Sequence, residues 1–142
     1  MRCHKPIYIE KKGRISAIPV NCGKCVYCKK RRVNSWVFRM TEEEKVSFSS
    51  YFITLTYDNK NVPVTKNGFM TLNKKDVQDY MKRLRYFHEK KSDKKLVYYF
   101  AGEYGPKTFR PHYHAIVFNV MDPELFGKAW QKGQVVVGNV IK

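Results

Sequence analysis

The chain has 142 residues, 43% of them hydrophobic and 15% aromatic, enough for one domain with a real core. No apolar run is long enough to cross a bilayer and no basic-then-apolar leader opens the chain, so the expected place of action is the cytoplasm, away from membranes. Lys and Arg number 28 against 12 acidic residues, a formal net charge of +16. That excess points to a polyanionic partner, and to nucleic acid before an anionic membrane surface, because no clearly amphipathic basic segment with a bulky apolar face is present.

All four cysteines lie early, at Cys3, Cys22, Cys25 and Cys28. The last three form two overlapping Cys-x-x-Cys units. In a cytosolic protein that spacing reads as metal binding or redox chemistry before disulfides. Gly23 and Lys24 suit the tight turn of a zinc knuckle, and four thiolates complete a tetrahedral structural Zn²⁺ site. Cys3 has to be carried back by a hairpin-like segment from Pro6 to Val20, and His4 is its possible substitute. Reduced, unliganded thiols and a disulfide are the alternatives. Lys29, Lys30, Arg31 and Arg32 follow at once, and Val33, Trp36, Val37 and Met40 recur at helical spacing. A basic helix from Tyr27 to about Lys45 is expected. Its two readings are a solvated face over a packed apolar stripe, and a surface that contacts phosphates.

Phe52 to Tyr57 alternates and is rich in β-branched and aromatic residues, so it reads as a strand. Phe52, Thr54 and Thr56 share one face of it. Asp58 to Asn61 is a turn, and Val62 to Met70 an irregular or short-strand excursion around Asn67-Gly68. Asn73 is a good N-cap with Asp76 in the first turn. Val77, Tyr80, Met81, Leu84, Phe87 and His88 then mark one face of an amphipathic helix of about 16 residues. His88 reads as a helix-end or packing residue. Leu96 to Phe100 is the next strand, leading into Gly102-Glu103-Tyr104-Gly105 and the turn residues Gly105 and Pro106.

Pro111 gives no N–H to a ladder and suits the start of a strand. His112 and His114, two residues apart in that strand, point the same way. Such a spacing suits two imidazoles on one metal, although surface polarity and a satisfied core hydrogen bond are commoner uses of histidine. If the strands pair, Glu103 returns beside the two histidines. Two nitrogens and a carboxylate oxygen make a centre with open positions, suited to a divalent ion that also holds a phosphate. A short helical segment from Asp122 to Trp130 ends at Lys132-Gly133. A last strand runs from Gln134 to Ile141, interrupted at Gly138-Asn139. Strands interleaved with helices that cover one face predict an antiparallel α+β fold behind a Cys-rich segment. Residues 1–50 hold that segment and the basic helix, and residues 51–142 the catalytic-type core.

Gly102-Glu103-Tyr104-Gly105 followed by Arg110-Pro111-His112-Tyr113-His114 and an apolar strand resembles the HUH endonuclease superfamily. The likeness is greatest to replication initiators (Rep proteins) of small single-stranded DNA phages of the gokushovirus type, in the Microviridae, and it covers about residues 20–142. It implies a central sheet with the His strand in the middle, and Mg²⁺ or Mn²⁺ on Glu103, His112 and His114. Phe52-Ile53-Thr54-Leu55-Thr56 is similar to the first Rep motif, which places Thr54 and Thr56 beside the DNA. Lys107 and Arg110 are implied to hold flanking phosphates, and Lys29, Lys30, Arg31 and Arg32 to make further DNA contacts.

The implied chemistry is rolling-circle initiation. A tyrosine attacks a phosphodiester of a single-stranded phage origin in a bacterial host, and the freed 3′-OH feeds the host replication machinery. The departure is the nucleophile, which the family carries after the His strand. No tyrosine follows Tyr113 here, Tyr113 alternates away from the histidines, and Tyr80 sits on an apolar stripe. The expectation is an N-terminal portion that binds metal and DNA and does not nick alone. A non-catalytic, zinc-stabilised nucleic-acid-binding module and a metal-dependent hydrolase with water as nucleophile are the other classes to separate from it.

Overall fold

The computed structural model describes residues 2–140, and the chain divides into two compact units, residues 1–45 and 46–142. In the first, strand β1 (Ile7–Ile9) pairs antiparallel with β2 (Ile18–Val20), with Ile7 opposite Val20 and Ile9 opposite Ile18. Helix α1 (Val26–Val46) follows. No residue of α1 is buried, and Val33 and Val37 are more than half exposed. The apolar stripe expected to pack is therefore not packed. A three-residue, fully exposed β1 offers no apolar face to receive it.

The second unit is a four-stranded antiparallel sheet in the order β4-β5-β3-β6, where β3 is Ser50–Tyr57, β4 Val97–Tyr104, β5 Pro111–Phe118 and β6 Gly133–Asn139. Helices α2 (Lys74–Glu89) and α3 (Glu124–Ala129) complete it. Alternation decides which face they cover. Ile53, Leu55 and Tyr57 of β3 and Tyr113, Ala115 and Val117 of β5 are buried, in one cluster with Tyr80, Met81 and Leu84 of α2 and Leu125, Phe126 and Ala129 of α3. Trp130 closes this core, edge-on to Tyr80 at 5.7 Å between ring centroids, while its indole N–H donates to the Thr56 carbonyl at 2.9 Å. The α+β antiparallel fold read from the sequence is the observed one, with the His strand internal to the sheet.

Polar groups fix how α2 enters this core. Asn73 caps the helix by accepting the Lys75 N–H at 3.0 Å. The Tyr113 hydroxyl accepts the Asn73 N–H at 2.7 Å and lies 3.0 Å from the Asn73 carbonyl, so β5 grips the cap residue by its backbone. The Tyr57 hydroxyl donates to the buried Asp76 carboxylate at 2.7 Å and sits 3.1 Å from that of Tyr113. Burial, then the bond to Tyr113, pushes the Tyr57 phenol far above its ordinary pKa, so it stays a donor. Lys132 approaches Asp76 at 3.5 Å and balances its charge. His88 is buried, with its Nε2 2.7 Å from the Lys94 carbonyl, a packing role at the helix end.

Three boundaries differ from expectation. Strand β4 runs past Phe100 to Tyr104, so Glu103 belongs to the strand itself, where pairing with β5 continues to Pro111. Strand β6 is not interrupted at Gly138-Asn139, because β3 continues opposite it, pairing Phe52 with Gly138 and Tyr51 with Asn139. The expected end at Ile141 lies outside the described residues. The Val62–Met70 excursion contains one isolated bridge, Val64 to Met70. Among the described residues no helix is long and apolar enough to cross a membrane.

The two glycines of β6 separate cleanly. A Cβ on Gly133 would lie 2.0 Å from the Thr56 carbonyl oxygen and 2.7 Å from the Asp58 nitrogen, both backbone, whereas one on Gly138 would meet nothing closer than 3.8 Å. Gly133→Ala is therefore expected to destabilise by about 3 kcal/mol, the upper end of overpacking costs, and Gly138→Ala by less than about 1 kcal/mol. Thermal or urea unfolding of the two variants checks this, and equal losses would contradict it.

Candidate metal centre and nucleic-acid face

The face of the sheet away from α2 and α3 carries the chemistry. In the β4–β5 register Glu103 stands opposite His112 and Ala101 opposite His114. In the β3–β5 register Thr54 stands opposite His114 and Thr56 opposite His112. Cross-strand partners share a face, so these residues converge on one side of the sheet. The Nε2 atoms of His112 and His114 lie 3.3 and 3.2 Å from one carboxylate oxygen, Oε2 of Glu103. Neighbouring ligands of an octahedral ion with bonds of about 2.1 Å stand about 3.0 Å apart, so a divalent cation fits after a small opening of the three groups. Glu103 is 60% exposed, which leaves the remaining coordination positions open to solvent or substrate.

The other ring nitrogens orient the imidazoles. His114 Nδ1 is 3.0 Å from the Thr54 hydroxyl, and His112 Nδ1 is 3.2 Å from the Arg110 carbonyl. A carbonyl only accepts, so His112 carries its proton on Nδ1 and presents a lone pair at Nε2, the form a metal ligand needs. Phe52 stacks on His114 at 5.4 Å between centroids, tilted by 22°, and steadies that ring from the side.

The loop between the two ligand strands is tied by Gly105 N–H to Arg110 C=O and Phe109 N–H to Gly105 C=O, each 3.0 Å. Arg110 reaches the Tyr57 carbonyl at 2.7 Å. That bond uses part of a guanidinium with five donors and anchors the loop to β3. Thr56 meets the Gln134 carbonyl of the next strand at 3.4 Å. The sequence places Thr54 and Thr56 only as DNA contacts. Thr54 is also the partner of a ligand histidine, a role that needed the β3–β5 register to be seen.

The second cluster lies in the first unit. The β1–β2 hairpin returns Cys3 to the Cys22 turn, where the Cys22 N–H points at the Cys3 sulfur at 3.4 Å. All four Sγ atoms lie within 4.8 Å of one another, with Cys3–Cys25 at 3.8 Å and Cys22–Cys28 at 3.9 Å. These are not disulfides, because a bonded pair is about 2.05 Å apart. Thiolates around a tetrahedral ion with bonds of about 2.3 Å stand about 3.8 Å apart, which these spacings match.

Gly23, at φ +73°, makes the turn that lets the Lys24 and Cys25 N–H groups reach the Cys22 sulfur at 3.4 Å each. Those two bonds hold the Cys22 thiol below its ordinary pKa, and the Cys28 and His4 backbone N–H groups hold Cys25 down to about 6. Burial pushes Cys28 up. His4 does not replace Cys3, since its ring packs on Tyr27 at 4.2 Å.

Comparison with known proteins adds the ancestry. The family model for replication-associated protein ORF2 matches residues 50–142. The chain belongs to this replication-associated protein family. Replication-associated protein ORF2 of Spiroplasma virus 4 is 31% identical over 102 residues, 71% of this chain and 32% of that protein. Replication-associated protein VP4 of Bdellovibrio phage phiMH2K is 29% identical over 119 residues, 80% of this chain and 36% of that protein. Replication-associated protein ORF4 of Chlamydia phage 1 is 30% identical over 119 residues, 79% of this chain and 29% of that protein. The chain thus spans about a third of the length of these curated relatives. No solved structure matches it. The family match spans all three ligands of the open face, while the cysteine cluster precedes it.

In this replication-associated chain Thr54→Val removes the hydroxyl at His114 Nδ1 and keeps a β-branched strand residue. Affinity for Mn²⁺ at the Glu103 centre, read by calorimetric titration, is expected to fall about 10- to 100-fold, with the melting temperature little changed. Unchanged affinity would remove Thr54 from the centre.

Proposed function

We propose that this chain is the metal- and DNA-binding part of a phage replication initiator of the HUH type, acting on a single-stranded origin during rolling-circle replication in a bacterial cell. The observation that carries the reading is the convergence of two Nε2 atoms on one Glu103 oxygen, on the open face of a sheet, in a chain of net charge +16. Mg²⁺ or Mn²⁺ at Glu103, His112 and His114 would supply charge neutralisation and polarisation at a scissile phosphate. Lys107 and Arg110, on the loop between the ligand strands, are placed to hold adjacent phosphates, and Lys29, Lys30, Arg31 and Arg32 to add backbone contacts from α1.

The attacking hydroxyl in this reading is none of Tyr57, Tyr80 and Tyr113. All three are buried on the helix side of the sheet, and Tyr57 and Tyr113 are committed to Asp76 and Asn73. By itself the chain binds and positions single-stranded DNA without cleaving it, and origin nicking belongs to a longer protein, in concert with host replication factors. The experiment is incubation with a labelled single-stranded origin oligonucleotide and Mn²⁺, followed by a denaturing gel. Binding without a covalent protein–DNA band is expected. A covalent band would mean that a tyrosine of this chain is the nucleophile. Multiple-turnover cleavage without an adduct would favour water attack at the same ligands.

The cysteine cluster supports a second element of the reading, structural Zn²⁺ on Cys3, Cys22, Cys25 and Cys28. Residues 1–45 contribute nothing to the buried hydrophobic core, so metal ligation stands in for a core there. Removal of zinc by a strong chelator is expected to cost the α1 contribution to the far-ultraviolet circular dichroism, with one zinc released per chain. If all four cysteines change to Ser with no loss of helicity, the zinc reading is wrong. If the His112→Ala, His114→Ala double variant binds single-stranded DNA as the parent does, the chain is a non-catalytic zinc-stabilised binding module instead.

A further inference from the structure

Two large aromatic side chains flank the ligand triad, exposed where an apolar ring gains nothing from the fold. Phe52 is 42% exposed on the open face of β3, and its contact there is the flat stack on His114. Phe109 is 68% exposed in the loop that joins Glu103 of β4 to His112 of β5. Its φ of +53° is a left-handed conformation that a bulky side chain adopts only under strain and that glycine would adopt freely. The loop is held there by the paired bonds of Gly105 with Arg110 and Phe109. Lys107, Arg110 and the net charge of +16 place this apolar surface in a basic setting. Exposed rings set among cations are the composition of a single-strand binding track, because stacking on the base faces needs unpaired bases and the cations take the phosphates.

We propose that Phe52 and Phe109 are base-stacking residues that bracket the Glu103–His112–His114 centre. Single-stranded DNA lies along the open face with one base on each ring and the phosphate between them at the metal. The inference rests on the metal-dependent DNA-binding reading above and assigns the residues that set where the strand stops. The two rings hold the bases on either side, so one phosphate in the strand is presented to the ligands. Stacking tolerates any base, so the rings fix position and leave sequence choice to other contacts.

The test uses the full chain, a fluorescein-labelled oligothymidylate and Mn²⁺, read by anisotropy. Phe52→Ala and Phe109→Ala are each expected to weaken binding about tenfold, within the range measured for loss of one base–aromatic stack. Phe109→Gly, which suits the positive φ, separates loss of the ring from damage to the loop and is expected to lose as much as Phe109→Ala. Both Phe109 variants are expected to keep the parent's affinity for Mn²⁺. A single abasic nucleotide walked along the strand should weaken parent binding similarly at two positions, and each effect should vanish in the matching variant. Variants within twofold of the parent, additive abasic effects, or equal affinity for a duplex of the same length would each overturn the stacking proposal. Failure of the parent to bind the single strand would instead bring down the reading on which it rests.

Discussion

The register between β3 and β5 is the constraint on which everything else depends. It sets Thr54 against His114 and Thr56 against His112 on one face, and by the same alternation sets Leu55 and Tyr113 together on the other. A slip of one residue would turn the histidines into the core and the core side chains into solvent. The metal face and the hydrophobic core are thus two readings of a single pairing. The centre is as well specified as the core, because the same hydrogen-bond ladder positions both.

That pairing also explains the polar network under the sheet. Tyr57 and Tyr113 face the helices, and their hydroxyls need partners there. Asp76 and the backbone of Asn73 provide them, both at the start of α2. The tyrosines therefore locate the helix along the sheet, where apolar contact alone would permit sliding. They are spent on architecture, which is why their chemistry is not available on the opposite face.

Local patterns carried the legible part of the sequence. The His112-x-His114 spacing, the alternation of Phe52 to Tyr57 and the Asn73 cap each follow from residues near one another in the chain. What was not legible depends on which strands meet. Nothing local assigns Thr54 to His114, sixty positions away. Glu103 reads as part of a turn because Gly102 and Gly105 surround it, yet pairing with β5 keeps it in the strand. The stripe on α1 reads as a packing surface because spacing reports an apolar face and says nothing of what lies against it. Cys3 falls between these cases. Its return was legible as a need of the cluster, and the nine-residue separation of Ile9 from Ile18 in a closed hairpin is how the chain meets it.

The order of strands has a further effect on the centre. Both histidines stand on β5, which is bonded to β4 on one side and β3 on the other, whereas Glu103 stands on β4, at the edge of the sheet with one bonded neighbour. An internal strand leaves its place only when two ladders open, an edge strand when one does. The nitrogens are thus the fixed jaw of the site and the carboxylate its movable one. A bound ion is released from the edge inward, so cation exchange does not require disturbing the strand that holds the core.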